Sequence, residues 1–258
     1  MVYTIVFMRH GESEWNLSNR FTGWVDCKLS EKGVQEAIEG GKLIKEHGYE
    51  FDLCYTSLLK RAITTANYVL EVCDQLWIPQ FRSWKLNERM YGALEGLNKR
   101  ECVEKHGEKQ VMEWRRSYGT PPPAMAEDSE LNHAFERKYA NIDGIVPMTE
   151  CLKDCVERVV PFWNTEIVPA LKANKRIFIA AHGNSLRALV KHLDNISEKD
   201  IVNLNIPTGI PLVYNLGEDL LPIPVEDKKY SPLTGTYLGN ENEIKAKIEG
   251  VANQASKK

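Results

Sequence analysis

The chain has 258 residues, of which 43% are hydrophobic and 27% charged, enough for one large α/β domain with a full core. Its formal charge of −3 argues against a general nucleic-acid binder, although a local basic site in such a chain would suit a small anionic ligand. There is no membrane-length apolar stretch, no signal peptide and no Cys-x-x-Cys pair among six scattered cysteines, so the expectation is a reduced, cytoplasmic protein without membrane association or zinc.

The apolar run Thr4-Ile5-Val6-Phe7-Met8 predicts a buried parallel strand, and Arg9-His10-Gly11-Glu12 follows it. Ser30 reads as the N-cap of a helix over Glu31 to Glu46, with Gly48 as the stop. Phe51 to Thr56 reads as the second strand and Leu58 to Gln75 as a helix. A third strand, Ile78 to Trp84, is interrupted early by Pro79. Asn98 to His106 and Gln110 to Arg116 read as shorter helices. Pro121-Pro122-Pro123 ends that stretch, and residues 117 to 147 read as an irregular polar excursion on the surface. Thr149 then caps a helix to about Ala173 with a kink at Pro161, carrying Cys151 and Cys155 as half-buried thiols. Arg176 to Ala181 is a strand, followed by His182-Gly183-Asn184 and a helix from Ser185 to Leu193. Pro211 to Leu216 is the last strand; Gly217 to Gly239 reads as loop, before a polar helix and a basic end at Lys257-Lys258. The alternation predicts one domain over residues 1–258, a three-layer α/β sandwich with a mostly parallel sheet and helices on both faces. A tail from about residue 225 is open to being mobile.

Two His-Gly steps carry the chemistry. Each lies just past the carboxyl end of a predicted buried strand, the rim where open α/β sheets hold ligands. Neutral imidazole is a good nucleophile near neutral pH, its ordinary pKa being about 6.5. His10 attacking a phosphoryl group would give a phosphohistidine and divide one difficult transfer into two. The transferring group spreads negative charge over its oxygens and needs cations and oriented N–H donors. Arg9 beside His10, Arg61 at the start of the next helix, His182, and the backbone at Gly11 and Gly183 meet that need. Glu88 is the candidate proton donor and acceptor for the alcohol oxygen. Taken singly, each arginine also reads as a solvated surface charge, and Glu88 as the ion-pair partner of Arg89.

The segments Arg9-His10-Gly11-Glu12-Ser13, Asn16, and Arg20-Phe21-Thr22-Gly23-Trp24 resemble the signature of cofactor-dependent phosphoglycerate mutases, within the wider histidine phosphatase superfamily. So do Glu88-Arg89 with Tyr91-Gly92, Gly96-Leu97-Asn98-Lys99, Trp114-Arg115-Arg116-Ser117-Tyr118, Ala181-His182-Gly183-Asn184-Ser185 and Pro207-Thr208-Gly209-Ile210-Pro211. The resemblance covers roughly residues 3 to 216, in order. It implies that His10 is the phosphorylated nucleophile and Glu88 the general acid/base. It implies that Arg9, Arg61 and His182 bind the transferring group, helped by Asn16 and Asn184. Lys99, Arg115 and Arg116 would grip the carboxylate and second phosphate of the substrate, Thr22 and Gly23 would offer backbone contacts, and Tyr91 would close one side. The implied reaction exchanges 3-phosphoglycerate and 2-phosphoglycerate, in glycolysis and gluconeogenesis, with 2,3-bisphosphoglycerate priming His10 and no metal. A homodimer or homotetramer is implied as well.

Three positions depart from the family pattern: Met90 stands where it usually has His, the excursion around 124 to 147 is shorter and diverges, with Arg137 and Tyr139 the candidate matches to its Arg-Arg-Tyr, and the segment Val225 to Tyr237 is longer. The competing readings are a bisphosphoglycerate synthase or phosphatase, against which Ser13 speaks because the synthase branch tends to carry Gly there, and a broad phosphomonoesterase, which has no need of Lys99, Arg115 and Arg116. A catalytically silent binding protein and a two-histidine metal hydrolase are weaker alternatives. Minor synthase and phosphatase activities are expected beside the mutase.

Overall fold

The computed structural model describes residues 1–226 and 229–252. In chain order the elements are β1 (Tyr3–Arg9), α1 (Glu14–Leu17), α2 (Glu31–Glu46), β2 (Leu53–Thr56), α3 (Lys60–Val72), β3 (Gln80–Arg82), α4 (Lys99–His106) and α5 (Glu108–Arg116). Then come α6 (Leu152–Phe162), α7 (Val168–Lys172), β4 (Ile177–Ala181), α8 (Gly183–Leu193), α9 (Glu198–Ile201), β5 (Pro211–Leu216), β6 (Thr236–Tyr237) and α10 (Glu241–Ala252). The six strands form one sheet in the order β3-β2-β4-β1-β5-β6. β1, β2, β3 and β4 run parallel, while β5 is antiparallel to both its neighbours and is the one reversed strand. The expected three-layer α/β sandwich is therefore present.

Alternation along the strands assigns the layers. Ile5 and Phe7 of β1, with Ile177 and Ile179 of β4, face a cluster that includes Val159 of α6 and Leu186 and Leu189 of α8. Val6 and Met8, with Phe178 and Ala180, face the opposite cluster of Ile44 from α2 and Ala66, Val69 and Leu70 from α3. Because β1 and β4 are covered on both faces, their sequences read as unbroken apolar runs.

Helix α2 has the predicted bounds. Ser30 Oγ accepts from the Gly33 N–H at 3.1 Å, and Gly48 leaves the helix in the left-handed region at φ +71°. β2, β3 and α3 are shorter at their ends than predicted, since apolar periodicity continues into the flanking turns. The helix expected from Thr149 instead has Cys151 at its N-cap, where the Asp154 carboxylate accepts from the Cys151 N–H at 2.7 Å. Thr149 donates to the Pro122 carbonyl at 2.7 Å and fastens the preceding loop. Pro161 lies within the last turn of α6, and a π-helical segment at Trp163–Ile167 follows it before α7. Cys151 and Cys155 are buried, not half-buried. The loop from Gly217 contains β6, too short to show strand alternation, and α1 and α9 went unread for the same reason. The segment from Val225 to Tyr237 spans two undescribed residues, 227 and 228, and Lys257-Lys258 also lies outside the described residues.

Residues 117 to 147 correct the sequence reading most. They are irregular, but they do not simply ride on the surface. Met125, Tyr139 and Val146 are buried against Trp24 and Met90. Asn87 Nδ2 donates to the Tyr139 hydroxyl at 3.0 Å. His133 lies buried between two carboxylates, with Nε2 at 2.7 Å from Glu95 Oε2 and Nδ1 on Glu136. Met90, at the position where the family usually has His, fills this apolar cluster. Arg137 of the candidate family match is exposed, whereas Tyr139 is buried.

Burial works against the imidazolium of His133, but the hydrogen bonds from Glu136 and Glu95 override it and push its pKa up to about 9. A raised folded pKa stabilises the native state fully below about pH 6.5, and that stabilisation is lost as pH rises through about 9. His133→Ala is therefore expected to lower the urea midpoint clearly at pH 6, with the gap to wild type narrowing by pH 10; an equal gap at both pH values would contradict a charged His133.

Candidate active site

The parallel register of β1 and β4 builds the centre of the site. Arg9 is paired with Ala181, so the residues that follow, His10 and His182, emerge side by side. The His10 N–H donates to the Ala181 carbonyl at 3.0 Å, and the two rings meet edge to face with centroids 4.9 Å apart. The turn after β1 is tight. A Cβ on Gly11 would lie 2.0 Å from the Gly33 carbonyl oxygen, so the first turn of α2 closes directly onto the loop carrying the nucleophile.

His10 is 2% exposed. Its Nδ1 lies 2.6 Å from the Gly11 carbonyl oxygen, an acceptor only, so Nδ1 carries the proton. Nε2 faces the Arg61 Nε–H at 3.3 Å and therefore presents a lone pair. Burial, then Arg61 and Arg9, hold its pKa well below the ordinary value, which keeps the ring neutral. Arg61, in the first turn of α3, is locked by the carbonyls of Val25 at 2.8 Å and Gly23 at 2.7 Å. Arg9 donates to the Ile206 carbonyl at 2.8 Å, while its buried Nε has no partner. His182 Nε2 lies 2.7 Å from Ser57 Oγ at the end of β2. Burial, then Arg61, keeps this ring neutral too.

Glu88 stands opposite the histidines, in the loop between β3 and α4. Its Oε1 accepts from the Arg89 N–H at 2.7 Å, the Asn184 N–H at 3.1 Å and Asn184 Nδ2 at 2.8 Å. The alternative Glu88–Arg89 ion pair is not formed. The Arg89 guanidinium turns instead to the carbonyls of Trp114 at 2.9 Å and Arg115 at 3.0 Å, and lies over the Tyr91 ring. A buried pair underpins this loop. Arg158 Nε donates to Glu150 Oε1 at 2.7 Å, and Arg158 NH2 reaches the Asn87 and Glu88 carbonyls, both at 3.0 Å. Glu150 Oε2 accepts from the Met90 N–H at 2.8 Å. Trp24 Nε1 adds a bond of 2.6 Å to the Glu88 carbonyl.

A cavity joins these groups and holds thirteen of the fifteen sequence-predicted residues in its wall; Gly11 and His182 do not line it. Among the described residues seven cations line the wall (Arg9, Arg20, Arg61, Lys99, Arg115, Arg116 and Arg187), against Glu88 as the one lining carboxylate. Lys99 starts α4, and Arg115 and Arg116 end α5. Burial, then Arg115, pushes the Lys99 pKa down to about 7, and burial, then Arg116, pushes Arg115 down to about 10. Arg116 donates to Asn205 Oδ1 at 2.6 Å and to the Val251 carbonyl of α10 at 3.4 Å. Asn16 is tied to Ser13 by reciprocal bonds of 3.1 Å, and Gly23 takes φ +50° with no room for a Cβ beside Glu95. The buried Thr22 hydroxyl has no partner. Such a cluster of buried cations is costly without an anion, and the cavity suits a multiply charged one.

A family model of the histidine phosphatase superfamily (branch 1) matches residues 5–210. The chain belongs to that superfamily. Membership implies an enzyme of phosphoryl transfer. Among solved structures, the alpha-ribazole phosphatase from Shigella flexneri is similar at 20% identity and TM-score 0.63, covering 93% of this chain and 100% of that one. A mycobacterial glucosyl-3-phosphoglycerate phosphatase is similar at 17% identity and TM-score 0.64, covering 92% and 97%. The phosphoglycerate mutase from Bacillus anthracis is similar at 21% identity and TM-score 0.59, covering 99% and 97%. At these identities the likeness establishes the shared fold. Among the described residues no helix is long and apolar enough to cross a membrane, and no three His, Cys, Asp or Glu side chains are grouped to hold a metal ion.

Sequence reasoning missed Ser57, Arg187, Asn205 and the contribution of α10. Ser57 was within reach, because it ends a strand as His10 and His182 do. Arg187 sits three residues after Asn184, a spacing that places both on one helix face. Nothing in the sequence marks Asn205 or α10 as neighbours of Arg116.

Removing one partner of the Glu150–Arg158 pair leaves a buried charge uncompensated, which costs about 3–5 kcal/mol. Glu150→Gln should lower unfolding stability toward that range in urea titrations; a loss under about 1 kcal/mol, typical of exposed pairs, would show that the pair does not anchor the Glu88 loop.

Proposed function

We propose that this protein is a phosphoglycerate mutase, interconverting 3-phosphoglycerate and 2-phosphoglycerate through a phosphohistidine on His10. The observation that carries the proposal is the placement of Lys99, Arg115 and Arg116 in the same cavity as His10. A simple phosphomonoesterase needs cations around one phosphate only. A second cationic group suits a ligand with another anionic end. A bisphosphorylated acid has about 3 to 4 negative charges on its phosphates, at about 1.5 to 2 each, plus its carboxylate.

In the proposed reaction His10 already carries the phosphoryl group: Glu88 takes the proton of the free hydroxyl of the bound monophosphoglycerate, that oxygen attacks the phosphorus, and the bond from phosphorus to His10 Nε2 breaks, giving 2,3-bisphosphoglycerate. The intermediate then turns its other phosphate to His10, Nε2 attacks that phosphorus, the bond from phosphorus to the carbinol oxygen breaks, and Glu88 returns the proton to that oxygen, which frees the isomeric monophosphoglycerate and restores the phosphohistidine. Arg9, Arg61 and His182 bear on the transferring oxygens, with Asn16, Asn184 and the Gly183 backbone beside them. Lys99, Arg115 and Arg116 hold the carboxylate and the second phosphate, Thr22 and Gly23 contribute their backbone, and Tyr91 walls one side. 2,3-Bisphosphoglycerate would supply the phosphoryl group that primes His10. The unpartnered buried Arg9 Nε and Thr22 hydroxyl fit such an anion. No step calls for a metal. Weak phosphatase and synthase activities follow from the same phosphohistidine whenever water, or release of the bisphosphate, intercepts the cycle.

An enolase-coupled assay on 3-phosphoglycerate with chelator present tests the proposal. Turnover should rise with added 2,3-bisphosphoglycerate, and His10→Ala should abolish both turnover and acid-labile phosphate on the protein. Arg115→Leu removes charge-assisted hydrogen bonds worth about 1.5–3 kcal/mol, so kcat/KM for phosphoglycerate should fall about 10- to 100-fold while aryl phosphate hydrolysis changes little. Equal losses on both substrates, or phosphate release without mutase turnover, would move the protein to the phosphatases whose structures it also resembles.

We propose further that the protein is cytoplasmic and works as a homodimer or homotetramer with small phosphoglycerates, not nucleic acid or membranes, as its partners. Strand β3 ends the sheet, and Phe81 on it is 50% exposed. An open strand edge with an exposed aromatic suits pairing with another copy. Phe81→Lys is expected to shift sedimentation toward the monomer; an unchanged assembly would remove β3 as the contact.

A further inference from the structure

We propose that Arg187 is a positioning residue for proton transfer at Glu88, acting through the side-chain amide of Asn184. The inference rests on the reading of Glu88 as the general acid/base. Arg187 lies one turn into α8 and is 5% exposed. Its NH1 donates to Asn184 Oδ1 at 2.8 Å, and its NH2 donates to the Ile201 carbonyl. Both acceptors are neutral oxygens, so its charge is not neutralised by either. Burial, then Arg116 and Arg89, push its pKa down to about 9, the mark of a cation held where cations are already crowded.

The consequence runs along a chain of hydrogen bonds. An asparagine amide has an acceptor end and a donor end, and rotation by half a turn exchanges them. The guanidinium has donors only, so it fixes Oδ1 on its own side. Nδ2 is then committed to the other side, where it donates to Glu88 Oε1 at 2.8 Å and to the Tyr91 hydroxyl at 3.2 Å. With the Asn184 and Arg89 N–H groups, this seats Oε1 on three donors and leaves Oε2 to exchange the proton. The carbonyl of Ile201, the last residue of α9, anchors the guanidinium, so the seat of Glu88 depends on a short helix outside the cavity wall. A charge-assisted bond at one end of the amide also polarises it and strengthens the donor at the other.

Substrates that differ in their need for an acid test the role. An alkyl phosphate expels an alkoxide, which requires a proton from Glu88. p-Nitrophenyl phosphate expels a stable phenolate, which does not. Arg187→Leu should slow single-turnover phosphorylation of His10 by ethyl phosphate, an alkyl phosphate with no second anionic group for a wall cation to hold, by about 10²-fold, the scale of general acid catalysis, and change p-nitrophenyl phosphate turnover less than about threefold. Arg187→Lys, which restores a charged donor, should recover most of the loss. If Arg187→Leu does not fold, Arg187→Gln makes the same comparison. Equal losses on both substrates, or no loss on either, would overturn the positioning role. Glu88→Gln measured alongside separates the two claims: no discrimination between substrates there overturns the acid/base reading, whereas discrimination there without it in the Arg187 variants overturns only the inference about Arg187.

Discussion

The parallel pairing of β1 with β4 is the interaction on which the rest depends. It aligns Arg9 with Ala181, so two chain segments more than 170 residues apart leave the sheet at the same height with a histidine each. β2 lies on the other side of β4, with Thr56 paired to Ala180, and places Ser57 against His182. Three neighbouring strands thus deliver the nucleophile, its companion ring and the hydroxyl that holds that ring. A slip of two residues in either pairing would preserve the inside-outside alternation but separate the rings by more than 6 Å, at about 3.3 Å per residue.

The second constraint is charge. Seven cations around one cavity repel one another, and burial raises the cost. The structure meets it with carbonyl oxygens in place of carboxylates. Arg9 uses Ile206, Arg61 uses Val25 and Gly23, and Arg89 uses Trp114 and Arg115. Carbonyls hold each guanidinium in place without neutralising it, so the positive potential remains for an anionic ligand. The buried carboxylate Glu150 is spent on Arg158, behind the Glu88 loop, where neutralisation does not weaken the cavity.

The end of the described chain forms part of the wall of the site. Lys247 on α10 donates to Glu36 Oε1 at 3.0 Å and to the Thr208 carbonyl at 3.2 Å, while Glu36 Oε2 accepts from the Glu12 N–H at 2.8 Å. One carboxylate on α2 therefore ties α10 to the loop that follows His10. Val251 reaches the cavity wall and its carbonyl accepts from Arg116.

Much of the fold was legible because its signals are local. Ser30 and Gly48 bounded α2 by capping chemistry, and the apolar runs before His10 and His182 marked strands covered on both faces. The candidate site was legible where residues follow those strands, as His10 and His182 do. Glu88 was legible as a candidate carboxylate, with an ion pair to Arg89 as its alternative, and the cations at 99, 115 and 116 became legible only through resemblance to a family, since a charged residue in a loop or on a short helix carries no local mark of its destination. Residues 117 to 147 misled because polar, proline-rich sequence ordinarily means surface. Met125, Tyr139 and Val146 pack against Trp24 and Met90, and His133 sits between Glu95 and Glu136, contacts between segments that form only in three dimensions. By itself the sequence determined the elements, the layers and the two rims, because periodicity, caps and turns act over a few residues. The tertiary structure alone decided which cations share one cavity, which carboxylate is neutralised, and that Arg187 reaches Glu88 through Asn184, because these depend on distances between segments that no local pattern encodes.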